Sequence, residues 1–290
     1  MIDWPKDLVE DIAARRSVLF LGAGVSKNAV NDDGEHPKDW KEFLRHLADS
    51  VPDATKKAET VKCLEDGDLL TACELARRFL RQDVFKSALL HEYSSKGFKA
   101  TEIHDHLVAI DSRFVLTTNF DRLYETYANH VQANTVRVKN YYDPDVADVF
   151  RRSDRVVLKI HGTIDTPDKT IFTRKDYAEA RTHYYAFYRL LDALFVTHTY
   201  VFLGASMNDP DMRILLEDHA YRFPGTRPHY MVSPMGSISD SVLSIMEESM
   251  NIRAILYDPV DSHKQLSTSV GELASLVEQG RNELTRTTNW

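Results

Sequence analysis

Cysteine is scarce in this sequence: Cys63 and Cys73 are the only two among 290 residues. That excludes a disulfide framework and a four-cysteine zinc module. Basic charge is not in excess either. Lysine and arginine total 36 against 44 aspartates and glutamates, a formal net charge of -8. With no fold-wide basic field to draw the chain onto a phosphate backbone, direct nucleic-acid binding is not expected. No run approaches the roughly 18 apolar residues of a membrane span. The opening "MIDWPKDLVEDIAARRS" lacks the apolar core of a signal peptide. The expected location is therefore the cytoplasm, with no membrane partner. Glycine numbers 11, and no six-residue Gly-x-Gly-x-x-Gly fingerprint occurs, which disfavours a standard dehydrogenase.

What is present reads as an ordinary globular enzyme, 43% hydrophobic and 28% charged. Short apolar runs alternate with helical patterns. Strands are expected at 17–21, 113–117, 156–160, 199–203 and 229–232, with a weaker one at 253–256. Near-continuous apolar strands separated by helices predict a doubly wound α/β fold, Rossmann-like, with a mainly parallel sheet. From residue 38 to 110 no strand pattern appears. Phe43, Leu44, Leu47 and Val51 repeat at helical spacing, as do Leu69, Leu70, Cys73, Ala76 and Leu80. This is read as a helical insertion within a single domain covering 1–290. Another amphipathic helix is expected over 178–195 and a last one over 262–279, with a loose tail after Gly280.

Four stretches carry chemistry, each on a loop after an expected strand, the edge where open α/β sheets bind ligands. In "LGAGVS" the backbone at Gly22, Ala23 and Gly24 lets a diphosphate approach closely, and Ser26 adds a hydroxyl. The plain alternative is a tight turn. In "TTNFD" Asn119 carries an amide suited to ribose hydroxyls or a water, with Thr118 beside it. Asp121 caps the next helix or faces the crevice. In "KIHGT" His161 precedes Gly162, and an imidazole is a side chain suited to general-base work. In "LGASMNDP" Gly204 and Ser206 precede an Asn-Asp-Pro helix start.

In this order, Gly22-Ala23-Gly24-Val25-Ser26, Asn119-Phe120-Asp121, His161-Gly162 and Gly204-Ala205-Ser206 resemble the motifs of the sirtuin family. The departures narrow the resemblance. With no cysteine after Cys73, the zinc ribbon of the deacylases is missing, and Thr118 stands where they carry Gln. "GEHPKDW" replaces their Gly-Ile-Pro-x-Phe-Arg segment, keeping Gly34, Pro37 and an aromatic, Trp40. The insertion and "TTNFDRLYE" look closer to the sirtuin-like effectors of bacterial anti-phage defence.

That resemblance implies hydrolysis of NAD to nicotinamide and ADP-ribose, with no metal. It implies that Asn119 positions water and ribose and that His161 acts as base. Asp121 contacts the carboxamide or caps its helix. The amides of Ala23 and Gly24, with Ser26, hold the diphosphate, and Gly204 and Ser206 lie near the adenosine. It also implies control by assembly, as a homo-oligomer or with a separate subunit such as a HerA-type ATPase. The competing readings are a peptide-directed deacylase or ADP-ribosyltransferase, a non-catalytic sensor of NAD or ADP-ribose, and a scaffold subunit. His104, in "EIHDH", is expected to be structural.

Overall fold

The structure, a computed structural model, describes residues 1–287. Helix α1 (Lys6–Ala13) precedes β1 (Ser17–Leu21), which runs into a single turn, α2 (Ala23–Ser26). Then come α3 (Trp40–Asp49), α4 (Ala54–Glu65), α5 (Leu69–Phe79), α6 (Gln82–Leu90), a π-helical turn at His91–Ser95 and α7 (Glu102–Ala109). Strand β2 (Phe114–Thr117), α8 (Leu123–Val131), β3 (Val136–Asn140) and β4 (Arg155–Lys159) follow. Helices α9 (Arg174–His183) and α10 (Tyr185–Thr197) lead to β5 (Thr199–Leu203). The chain continues through α11 (Pro210–Arg222), β6 (His229–Pro234), α12 (Asp240–Met250), β7 (Ile252–Tyr257) and α13 (Val260–Thr287).

The seven strands form one parallel sheet in the order β3-β4-β2-β1-β5-β6-β7. This is the doubly wound α/β arrangement read from the sequence. The chain winds outward from β1 on both sides, so the topological switch lies between β1 and β5. All five residues of β1 are buried, as a sheet covered on both faces requires. Val18 and Phe20 join Phe114, Leu116, Tyr200 and Phe202 beneath α10, α11 and α12. Leu19 and Leu21 face the other way with Val115, Val201 and Leu203, beneath α1, α7 and α13. Alternation along each strand thus feeds two separate cores.

Helices α3 to α6 form a third core around Phe43, Leu47, Cys73 and Phe85, which Phe120, Ile164 and Phe172 join from the loops above the sheet. A capping box of Asp39 and Glu42 starts α3. Helix α7 belongs elsewhere: Ile103 and Leu107 lie in the sheet-face core with α13. The separate helical layer therefore ends before residue 102, short of the 110 expected.

Three other readings are corrected. Strand β3 was not expected. It lies at the sheet margin, is half-buried, and carries Arg137 and Lys139 in alternation with Val136 and Val138. The single helix expected over 178–195 is two helices, broken at Tyr184 (φ -113°, ψ 34°). The tail expected to be loose is helical to Thr287, and Arg281 Nη2 donates to the Asp111 carbonyl at 3.1 Å. Its last three residues lie outside the described ones.

Candidate active site

The loops after β1, β2, β4 and β5 meet above the C-terminal edge of the sheet, around the switch point. Gly22 N–H donates to the Leu203 carbonyl at 2.9 Å and Gly24 N–H to the Gly204 carbonyl at 2.8 Å. The glycines here serve a contact between two backbones. A Cβ on Gly22 would stand 2.4 Å from the Gly204 oxygen, and one on Gly204 the same distance from Val25 N. Gly204 also has φ +60°, which a side chain would strain. The expectation that the amides of both Ala23 and Gly24 face an anion is corrected for Gly24, whose N–H is already used. Ala23 N–H donates to no protein acceptor among the described residues. Helix α2 is a single turn, too short for a substantial dipole.

Ser26 is the hub of the first half of the site. Its hydroxyl donates to Asp121 Oδ2 at 2.8 Å and accepts from Asn119 Nδ2 at 3.0 Å. The same Asn119 nitrogen donates to the Gly22 carbonyl at 3.0 Å. Asn119 N–H donates to Thr117 Oγ1, whose own hydroxyl donates to the Leu21 carbonyl. Asp121 Oδ1 accepts from Leu123 N–H at 2.9 Å at the start of α8. Both predicted roles of these side chains are thereby narrowed. Asn119 does not project freely; it is fixed by β1, and its carbonyl oxygen makes no hydrogen bond among the described residues. Asp121, 6% exposed, caps and braces, with no free oxygen toward the crevice. Ser26 is likewise buried and engaged.

Lys159, 1% exposed, reinforces this corner from below. Its ammonium donates to the Asp121 carbonyl and to Glu125 Oε1. Burial raises the Glu125 carboxyl above its usual range, against the pull of the lysine. A cavity of about 350 Å³ opens on this side, lined by Arg122, Glu125, Asn129, Asn140, Lys159 and Asp165.

The second half centres on His161. It follows β4, is 4% exposed, and holds its Nε2 3.0 Å from Asp209 Oδ2. The two atoms are out of line for a straight hydrogen bond. Asp209 belongs to the loop after β5, three strand positions away across β2 and β1, or roughly 14 Å at the usual inter-strand spacing. The β4 and β5 loops therefore lean toward each other above the ends of β2 and β1, where Asn119 and Gly22 stand. Tyr177 of α9 donates to Asp209 Oδ2 at 2.9 Å and packs edge-on to the imidazole at 5.2 Å. Gly162, at φ +82°, turns the chain where a Cβ would meet the Lys169 carbonyl. Burial pushes the Asp209 carboxyl up, but His161, the Met212 amide and Tyr177 together hold it below the usual carboxylate range.

Of the remaining expected residues, Thr118 is half-buried and Ser206 exposed, and neither makes a hydrogen bond among the described residues. Asp209 was read only as a helix start; its side chain does cap α11, accepting from Met212 N–H at 2.9 Å. Its contact with His161 has no local signal in the sequence. Trp40 packs against Phe120 and Phe172, tying α3 to the loops of the site. His104 is fully buried and accepts from Thr101 N–H at 3.1 Å, which fastens the start of α7.

No group of three or more His, Cys, Asp or Glu residues stands together as a metal site among the described residues. No helix among them is long and apolar enough to cross a membrane.

Residues 113–255 match the SIR2-like domain family. The chain is 28% identical over 78% of its length to an NAD(+) hydrolase ThsA of Enterococcus faecium, covering 45% of that protein. It is 24% identical over 73% of its length to NAD(+) hydrolase ThsA of Bacillus cereus, covering 41%. It is 23% identical over 74% of its length to defense-associated sirtuin 2 of Bacillus subtilis, covering 20%. The chain thus spans less than half the length of these relatives. The matched segment runs from β2 into β7 and includes both Asn119 and His161.

Proposed function

We propose that the chain hydrolyses NAD to nicotinamide and ADP-ribose and acts in anti-phage defence. What supports this reading is that the Asn119–Gly22 contact and the His161–Asp209 contact are both made by loops at the C-terminal edge of the sheet, after β2 and β1 and after β4 and β5. The names of the relatives supply the substrate.

The chemistry asks little beyond these groups. Nicotinamide leaves as a neutral molecule from an already cationic bond, so no acid is needed. The transition state is an oxocarbenium-like ribose. The Asn119 carbonyl oxygen holds a ribose hydroxyl or the attacking water. His161 accepts the proton that water loses on adding to the ribose carbon, a role worth about 10²–10⁴-fold. Ala23 N–H and Ser206 remain available for the diphosphate and adenosine portions, with Gly204 keeping the loop close. Asp121, Ser26 and Gly24 hold the frame.

Such an activity must be restrained before infection. We place that restraint in assembly, either of copies of this chain or with a separate ATPase subunit of the HerA type, in the cytoplasm. The test is release of nicotinamide and ADP-ribose from NAD, by the protein alone and with candidate partners. Wild type, Asn119→Ala and His161→Ala are compared. Acyl-ADP-ribose appearing only with an acylated peptide would replace this reading by a deacylase. Tight ADP-ribose binding with no turnover in any assembly would replace it by a sensor.

A further inference from the structure

Asp209 has two ordinary tasks and one that they do not explain. Its Oδ1 caps α11, and its Oδ2 accepts from the Tyr177 hydroxyl. A cap needs only an acceptor, which an asparagine supplies equally well. A carboxylate with a side chain 12% exposed loses hydration that an amide would not need. The remaining neighbour is His161 Nε2 at 3.0 Å, on a side chain 5% exposed and with no other partner among the described residues.

We propose that Asp209 is the positioning residue of His161, its carboxylate receiving the Nε2 proton and leaving Nδ1 as the nitrogen that accepts a proton during the reaction. This rests on the proposed hydrolysis for its consequence, though not for its geometry. The carboxylate is anchored from two helices, α11 through Met212 N–H and α9 through Tyr177, so it holds the ring instead of following it. The water that adds to the ribose carbon gives its proton to Nδ1 as the bond to nicotinamide breaks. The ring then carries both protons, and its positive charge faces the Asp209 carboxylate until the proton passes to solvent. The contact is out of line here. Such catalytic hydrogen bonds commonly straighten when substrate binds.

The charged and titratable groups around the pair come from four elements. Asp209 caps α11 and Asp211 lies on it, Tyr177 and Arg181 lie on α9, Tyr188 on α10 and Cys73 on α5. Asp211 is occupied by Tyr188 and Arg181. Burial raises its carboxyl; the carboxylate in contact with the imidazole is that of Asp209.

The experiment combines imidazole nitrogen NMR with kinetics. In the wild-type protein the neutral His161 ring is expected to carry its proton on Nε2. A proton on Nδ1 would overturn the proposal without any mutant. In Asp209→Asn the helix cap and the Tyr177 bond persist and the charge is gone. Its kcat is expected to fall about 10- to 100-fold, the usual effect of losing such a partner, with KM for NAD and the melting temperature little changed. With no carboxylate to receive the Nε2 proton, the Asp209→Asn ring is expected to lose its preference for the Nε2–H tautomer. A folded Asp209→Asn with wild-type kcat and tautomer would reduce Asp209 to a cap. If that variant does not fold, the wild-type ring proton decides alone. If no assembly hydrolyses NAD, the proposed function fails. The NMR titration of His161 in the two proteins still judges the pairing.

Discussion

The two halves of the site are finished to different degrees. Around Ser26 each polar group named has a partner in line: Asn119 on Gly22 and Ser26, Ser26 on Asp121, Asp121 on the α8 amide. Around His161 the partners stand at contact distance and the bond is not made straight. The first half is built by neighbours in sequence and by the adjacent strand β1, which fix one another during folding. The second joins loops three strand positions apart through one imidazole–carboxylate contact. A braced frame beside an imidazole still out of line with its carboxylate is a division of labour that would suit the proposed hydrolysis, which must be held off at rest.

Four outcomes break or sharpen this contrast. The largest is expected from His161→Ala, which removes the group awaiting alignment. Nicotinamide release should drop about 10²–10⁴-fold, while the melting temperature moves far less than the rate. Retained turnover would show that the base lies elsewhere. Gly204→Ala strikes the finished half. A Cβ at φ +60°, 2.4 Å from Val25 N, should cost roughly 3 kcal/mol in denaturant unfolding, together with ligand binding. An unchanged midpoint would mean that the β1 and β5 loops part easily.

Asp121→Ala and Asp121→Asn separate bracing from catalysis. The alanine variant strands Ser26 and the Leu123 amide, at about 2 kcal/mol in unfolding, and asparagine should recover most of it. Equal losses would point to the charge itself. The last outcome lies outside both halves and is absent at neutral pH, appearing only in acid. Burial, with His219 nearby, pushes the buried imidazole of His229 down to about 3. The folded protein then refuses a proton that the unfolded chain accepts below 6.5, so this contribution is intact above pH 6.5 and fades toward pH 3. Its slope is up to about 1.4 kcal/mol per pH unit. His229→Gln should flatten the melting curve over that window, and an unaltered slope would assign acid sensitivity to other groups.

How far the sequence discloses this architecture depends on whether a signal is local. Strands buried on both faces, such as Ser17–Leu21 and Thr199–Leu203, are legible because every position is apolar. Strand β3 is not, since Arg137 and Lys139 interrupt its valines and half of it meets solvent. The four motif loops are legible through glycine, amide and imidazole at strand ends. Which partner consumes each group is not, because Gly24 reaches Gly204 and Ser26 reaches Asp121 only through the fold. The break at Tyr184 hides inside an unbroken amphipathic pattern. The role of Asp209 hides behind its service as a cap.

The sheet ends at β3, whose outer side offers unpaired backbone groups to any passing strand. Arg137 and Lys139 stand on one face of this strand at alternate positions, tethered by Asp154 and Asp145. An incoming strand would have to accommodate both cations and their counter-ions before gaining a hydrogen-bond ladder. This margin is therefore guarded against sheet-to-sheet joining, the route by which open parallel sheets run on into fibres.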